Sequence, residues 1–319
     1  MAGQPAPAWA RDVTRDAVRH FAWGIGDNNP LWSDPQYAQQ SCRGGLLAPP
    51  AFLYALHETT LAPGHDPRPR LYVGADWCWY DTLPVGKAVL PAAQPPTDHE
   101  DSSGITQTGV VAFHGGNGHL VAEVTTRCLR PSAQTAAAEY TQPRYSDEEL
   151  ARIEMNILAE GQRGAEPRQW QETALGDRLG PLTKGPLSIM DIVAWCAGAL
   201  GNPEPHSGVS VGGVHEEIAT GPQITSWCTQ LLTDWAGDAG FLHRLRVDLL
   251  QQPGLGSTTT LSGAVTHLFR QANQQVVQVA ISATDQSGQS VAQGDALVIL
   301  PDGGDTPALP IPEPIAFAG

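Results

Sequence analysis

One order of secondary-structure signals occurs twice in this chain, and that repeat limits the folds open to it more than any other feature. In the first half a charged and apolar helical pattern over 12–20 leads into a loop, Gly26-Asp27-Asn28-Asn29-Pro30. Asp34-Pro35 then starts a short helix, with a capping residue followed by proline at the first helical position. Glycines and prolines over 44–50 precede an apolar segment, 51–57, that reads as a buried helix. β-Branched and aromatic runs follow over 71–80, 88–90, 106–114 and 119–129, broken by turns such as Gly115-Gly116-Asn117-Gly118. The second half repeats this outline. A capped entry helix spans 186–195, Gly221-Pro222 opens a helical segment over 223–235, and 236–240 closes it. Strands are expected at 242–250, 258–269, 275–285 and 290–300. Between the halves, 132–179 turns polar and irregular, with a helix over 146–161 whose Ser146 and Glu149 have the spacing of a capping box.

A chain of 319 residues suffices for two ordinary cores. The expected division is a first module at 1–135, a linker with a helix at 136–180, a second module at 181–305 and a flexible Pro-rich tail at 306–319. Two copies of one supersecondary unit is the economical reading. Acidic residues outnumber basic ones 33 to 18, for a formal net charge of -15. Nucleic acid is therefore not an expected partner, because phosphate neutralisation needs clustered Lys and Arg. The cysteines, Cys42, Cys78, Cys128, Cys196 and Cys228, are odd in number and contain no C-x-x-C pair, so neither a disulfide framework nor a zinc site is indicated. No apolar run approaches spanning length and no basic segment precedes an apolar one at the start, which makes a soluble cytoplasmic protein the expectation, with no membrane partner. Nothing points to a metal or a redox cofactor.

Gly26-Asp27-Asn28-Asn29-Pro30-Leu31-Trp32 resembles the D-x-N-P-x-H signature of MaoC-like hydratases and dehydratases, with Trp32 in the histidine place. Further similarity lies at 47–52, 184–187 and 231–238. Taken in order along nearly the whole chain, these segments resemble the double-hotdog form of that family. The resemblance implies an α+β fold in which two copies of a long helix are each wrapped by a curved antiparallel sheet. It also implies a hydro-lyase that adds or removes water at the 2,3 position of an enoyl or 3-hydroxyacyl thioester, in a biosynthetic setting, on a coenzyme A or carrier-protein substrate.

Such chemistry needs a group of near-neutral pKa to move a proton, a second group to orient water, and donors to polarise the thioester oxygen. Backbone amides at a helix amino end can supply the donors. The two candidate ends are 48–52 and 221–224. By the resemblance, Asp27 is the acid/base carboxylate and Asn29 shapes its loop, although Gly-Asp-Asn-Asn-Pro is also ordinary turn chemistry. An indole cannot take the proton, so the histidine must come from elsewhere or the reaction must differ. His215, in a stretch resembling the family's I-H-x-D pattern, is the expected proton carrier. His206, after Asn202-Pro203, is the alternative, with Glu204, Glu216 or Glu217 replacing an absent aspartate. A composite of Asp27 with His215 requires the two central helices to lie side by side. Asn29, Trp32, Pro50, Gly221 and Gln223 are expected to contact substrate. Arg43, Lys87, Lys184, Arg244 and Arg246 are candidates for a basic patch that meets an anionic carrier. Asp234 and Asp238 read as structural. An altered reaction in the same pocket, such as cyclisation, elimination or isomerisation, and a non-catalytic acyl-binding role are the competing readings. The two modules are expected to act as a pseudo-dimer, with homodimerisation as a further expectation.

Overall fold

The structure, a computed structural model, describes residues 12–57, 71–132, 140–166, 168–200, 210–211, 214–215, 218–304, 306, 309 and 314–318, with backbone alone at 200, 210–211 and 214–215. The first half opens with α1 (Arg15–Ile25), whose Thr14 cap accepts the Ala17 N–H at 3.2 Å and whose end turns at Gly26 with φ +67°. Asn29 and Asp34 cap α2 (Pro30–Ser33) and α3 (Pro35–Gln40), each with proline at the first position. After β1 (Leu47–Ala48), a 3₁₀ turn at Pro50–Phe52 runs into α4 (Leu53–Leu56). Then come β2 (Leu71–Trp79), β3 (Leu83–Pro84), β4 (Val89–Ala93), β5 (Thr97–Asp101), β6 (Gly104–Gly115) and β7 (Leu120–Pro131). The connecting segment holds α5 (Asp147–Leu158), with the expected capping box present.

The second half begins with β8 (Arg178–Lys184) and α6 (Ile189–Trp195), which widens into a π-type turn over Cys196–Leu200. Next are β9 (Ser210–Val211), β10 (Val214–His215), α7 (Gly221–Ala236), β11 (Phe241–Leu249), β12 (Thr259–Gln271), β13 (Gln274–Asp285) and β14 (Ser290–Ile299). The strands form one ten-stranded antiparallel sheet in the order β4-β6-β7-β2-β11-β14-β13-β12-β8, with β5 also on β6. The halves meet where β2 pairs with β11, placing Leu245 opposite Trp77 and Val247 opposite Ala75. Proline sits in the outer strands, Pro91 in β4 and Pro181 in β8, where a missing ladder donor does least harm and discourages a further strand.

The core lies between this sheet and the two central helices. Of the 16 residues of α7, 14 are buried. Its buried hydroxyls bond back to the helix: Thr225 Oγ1 donates to Gly221 O at 2.9 Å and Ser226 Oγ to Pro222 O at 2.8 Å. Beside it, Tyr54 of α4 accepts from Trp77 Nε1 at 2.9 Å, and Trp77 stacks on Trp79 at 5.3 Å.

Three features differ from expectation. The central helix of the first half is short within the described residues, ending at Leu56, whereas α7 has the expected length. The strands at 97–101 and 178–184 lack a clean apolar alternation because they lie at the sheet margins, and β8 crosses the expected boundary at 180/181. Over 314–318 the tail packs on the fold and is not loose there. Ile315 is 2% exposed and its N–H donates to His243 Nε2 at 3.1 Å, while Phe317 lies under Arg244 and Arg246 at 4.7 and 5.2 Å.

The two entry helices cross at glycines. A methyl on Gly24 would lie 2.7 Å from Ala194 O, and one on Gly198 would lie 2.5 Å from His20 O. Gly198→Ala is therefore expected to destabilise the fold by about 1–3 kcal/mol in denaturant titrations. Gly45→Ala, which meets open space, is expected to stay within about 0.5 kcal/mol. Equal effects would contradict this packing.

Candidate functional site

The motif loop is built by caps. Gly26 ends α1, the Asp27 N–H returns to Ala22 O at 2.8 Å, and Asn29 Oδ1 accepts the Leu31 N–H at 2.9 Å to start α2. This brings Asp27 and Trp32 together in the interior, at 4% and 5% exposure. Asp27 Oδ1 accepts the Asn29 N–H at 3.0 Å and Oδ2 accepts the Trp32 indole N–H at 2.9 Å. Burial raises the Asp27 pKa, and these two donors, followed by the nearby Lys184, oppose the rise. Trp32 thus takes the place of the motif's histidine both in sequence and as hydrogen-bond partner of the aspartate.

On the far side of Trp32 is a crevice lined by Asn29, Trp32, Pro50, Asp81, Thr233 and Asp238, with a free volume of about 50 Å³. That is room for a few waters and not for an acyl chain. Pro50 has no N–H to offer, and its carbonyl accepts from Trp79 Nε1 at 3.1 Å. Arg43 borders the crevice and donates to the carbonyls of Asp238, Ala239 and Gly240 at 2.8–2.9 Å. Asp238 Oδ2 accepts the Tyr37 hydroxyl at 2.7 Å, in keeping with a structural role.

Gly221 and Gln223 lie elsewhere, at the amino end of α7. Thr220 caps this helix, its Oγ1 accepting the Gln223 N–H at 3.4 Å, and Pro222 contributes no N–H, so Gly221 supplies the first amide. Gln223 is 1% exposed and its Oε1 has no hydrogen-bond partner among the described residues. Gly221 packs against Tyr72 and Leu249 so closely that a methyl there would lie 2.6 Å from the tyrosine. His215 is in β10, six residues before Gly221, and only its backbone is described. His206, Glu204, Glu216 and Glu217 lie outside the described residues. The structure therefore groups Asp27, Asn29, Trp32 and Pro50, and separates them from Gly221 and Gln223.

Sequence reasoning missed a second polar cluster behind the motif loop. Lys184 Nζ donates to Gly26 O at 3.1 Å and Gln230 Nε2 to the same oxygen at 3.3 Å. With Glu160 and Asp234 they line a cleft of about 570 Å³. Burial, then the charge of Asp27, pushes Asp234 up to about 8, and burial lowers Lys184. The available signal was the pair Gln230 and Asp234, polar at i and i+4 within a mostly apolar helix and so on one face. Of the candidates for a basic patch, Arg43 and Lys184 donate to backbone carbonyls, Arg244 and Arg246 are both engaged by Asp76, Arg244 in a bidentate pair at 3.0 and 2.8 Å, and Lys87 is exposed. Among the described residues no group of three or more His, Cys, Asp or Glu side chains is arranged to hold a metal ion.

Residues 1–113 match the family described as FAS1-like, dehydratase domain region. Shorter stretches are similar to UPF0336 proteins, at 38% identity over 45 residues for one of Streptomyces avermitilis and 41% over 56 residues for one of Parafrankia sp.. These stretches span only 30% and 37% of the relatives' own lengths, and 14% and 17% of this chain. Among solved structures, a MaoC-like dehydratase superposes with a TM-score of 0.70 at 17% identity, covering 94% of this chain and 96% of its own. A MaoC domain protein dehydratase of Chloroflexus aurantiacus gives 0.63 at 12% identity, with 95% and 96% covered. A conserved hypothetical protein of Mycobacterium tuberculosis, described as having a double hotdog fold, gives 0.56 at 13%, with 94% and 96% covered. The chain has the double hotdog fold, shared over nearly its whole length with proteins named MaoC-like dehydratases.

Trp32→Phe keeps an aromatic ring but removes the indole donor from a buried carboxylate. The expected cost is about 1–3 kcal/mol at pH 8. Without that donor the Asp27 pKa rises further above its ordinary 3.8, and a buried acid with a raised pKa loses stability as pH rises. The cost should therefore shrink toward pH 4, as read from unfolding curves at the two pH values, and a pH-independent cost would contradict the assigned hydrogen bond.

Proposed function

We propose that this protein is a hydro-lyase of the enoyl-thioester hydratase or dehydratase type, whose chemistry belongs to the second half while the first-half motif serves as structure. The observation that carries this reading is the Asp27–Trp32 contact. Both oxygens of the carboxylate are held by donors, and the residue in the histidine place is a donor only, with no site to accept a proton. In this account the thioester oxygen faces the amino end of α7, where the Gly221 amide and the helix dipole stabilise developing negative charge. His215 moves the proton, with His206 as the other candidate. The unpartnered Oε1 of buried Gln223 at the same helix end is an acceptor suited to holding water or a substrate hydroxyl. The similarity of residues 1–113 to a dehydratase region and the fold shared with MaoC-like dehydratases support the reaction class. The substrate is proposed to be a coenzyme A or carrier-protein thioester.

The test is loss of enoyl absorbance with a panel of 2-enoyl thioesters, using wild type, Asp27→Asn, His206→Ala and His215→Ala, each checked for folding. Wild type is expected to hydrate at least one substrate. His215→Ala should lose about 10²–10⁴-fold in kcat, while Asp27→Asn stays within several-fold. Collapse of Asp27→Asn to the level of His215→Ala would return the chemistry to the first-half motif. Absence of hydration by folded wild type over the whole panel would overturn the hydro-lyase reading.

A further inference from the structure

The cleft behind the motif loop is separate from the helix end used in the proposed reaction. Gln230 lies nine residues beyond Gly221, about 13 Å along α7. The cleft is walled by Gly26 and Asn28 after α1, by Thr183, Lys184 and Pro186 at the end of β8, by Gln230 and Asp234 of α7, and by the end of α5 and the residues after it. Its polar groups are mismatched in number. Three carboxyl groups line it, those of Glu160, Asp191 and Asp234, against one lining cation, Lys184; Glu160 Oε1 accepts the Thr183 N–H at 3.2 Å and Asp191 Oδ2 the Ser188 N–H at 2.8 Å, which leaves Asp234 and the second Glu160 oxygen for a ligand. That ammonium already donates to Gly26 O at 3.1 Å. Two further oxygens of lining residues have no hydrogen-bond partner among the described residues, Gln230 Oε1 and Thr183 Oγ1, and each of these residues is only 3% exposed. Buried acceptors are ordinarily satisfied, so this excess of acceptors and negative charge marks a place for a donor-bearing cation. The lining also has an apolar part: Ile157 and Leu158 of α5, 37% and 78% exposed, and Pro186.

We propose that this cleft binds a primary amine carried on a short apolar chain, with the ammonium between Glu160, Asp234 and the Gln230 carbonyl and the chain against Ile157, Leu158 and Pro186. A charged donor supplies what the site lacks, since an ammonium offers three N–H bonds and offsets the repulsion between Glu160 and Asp234. A carboxylate ligand would add to that repulsion, and an alcohol would leave it in place.

The experiment is calorimetric titration of the full chain with n-butylamine at pH 9 and fixed ionic strength, where Asp234 is ionised and the amine still carries its proton, with butanol and butyrate as matched controls. Saturable binding of the amine is expected, at least about tenfold tighter than either control. Asp234→Asn and Glu160→Gln should each weaken it by about tenfold or more, whereas Asp302→Asn, far along the chain and paired with Arg270, should leave it unchanged. Asp234→Asn removes a charge that is unfavourable in the folded state, so the variant is expected to fold. No saturable heat, equal binding of butanol, preference for butyrate, or unchanged binding in both cleft variants would each overturn the proposal.

Discussion

The pairing of β2 with β11 is the contact on which the rest of the molecule depends. Each half brings an antiparallel sheet with a raw inner edge, and the register that sets Leu245 against Trp77 and Val247 against Ala75 converts two edges into one continuous sheet. Both central helices then lie on the same concave side. Pro50, at the start of the first, shares a crevice with Thr233, near the end of the second. The amino end of one helix is thus set beside the carboxyl end of the other, and the two helix amino ends lie apart.

Those two ends have diverged. In the first half an indole stands in the histidine place and bonds the buried Asp27, and the crevice beside it, bordered by Arg43 and Asp238, is only about 50 Å³. The buried Asp27 is retained because two donors hold it and Lys184 lies near; a lone buried carboxylate would be far more costly. The second half keeps a 16-residue helix with a capped amino end and an unsatisfied amide oxygen beside it. Under the proposed function this asymmetry makes the first copy structural and leaves the site to the second.

Much of the fold was legible because its signals are local. Alternating residues in β6, β7 and β11 to β14, the Asn29 and Asp34 caps, and the Ser146 capping box all reach their result through near neighbours. The margins were less legible: β5 is charged and fully exposed, and β8 owes its strand state to pairing with β12 across 75 residues or more of chain. For the site, the order of Asp27, Asn29 and Trp32 was readable, but the indole's bond to the carboxylate was not, since no spacing rule states which way a tryptophan ring turns. The cleft around Lys184 escaped for the same reason. Its members come from α1, β8, α7 and the segment after α5, and only the assembled fold brings Glu160 toward Asp234.

In the proposed reaction the first-half motif is structural and substrate is handled at the amino end of α7. A crystal structure with a non-hydrolysable 3-hydroxyacyl thioester analogue tests it directly. The account predicts the analogue's carbonyl oxygen within hydrogen-bond distance of the Gly221 amide, with the Trp32–Asp27 contact unbroken. An analogue seated between Asp27 and Pro50, with Trp32 swung away from the carboxylate, would contradict it.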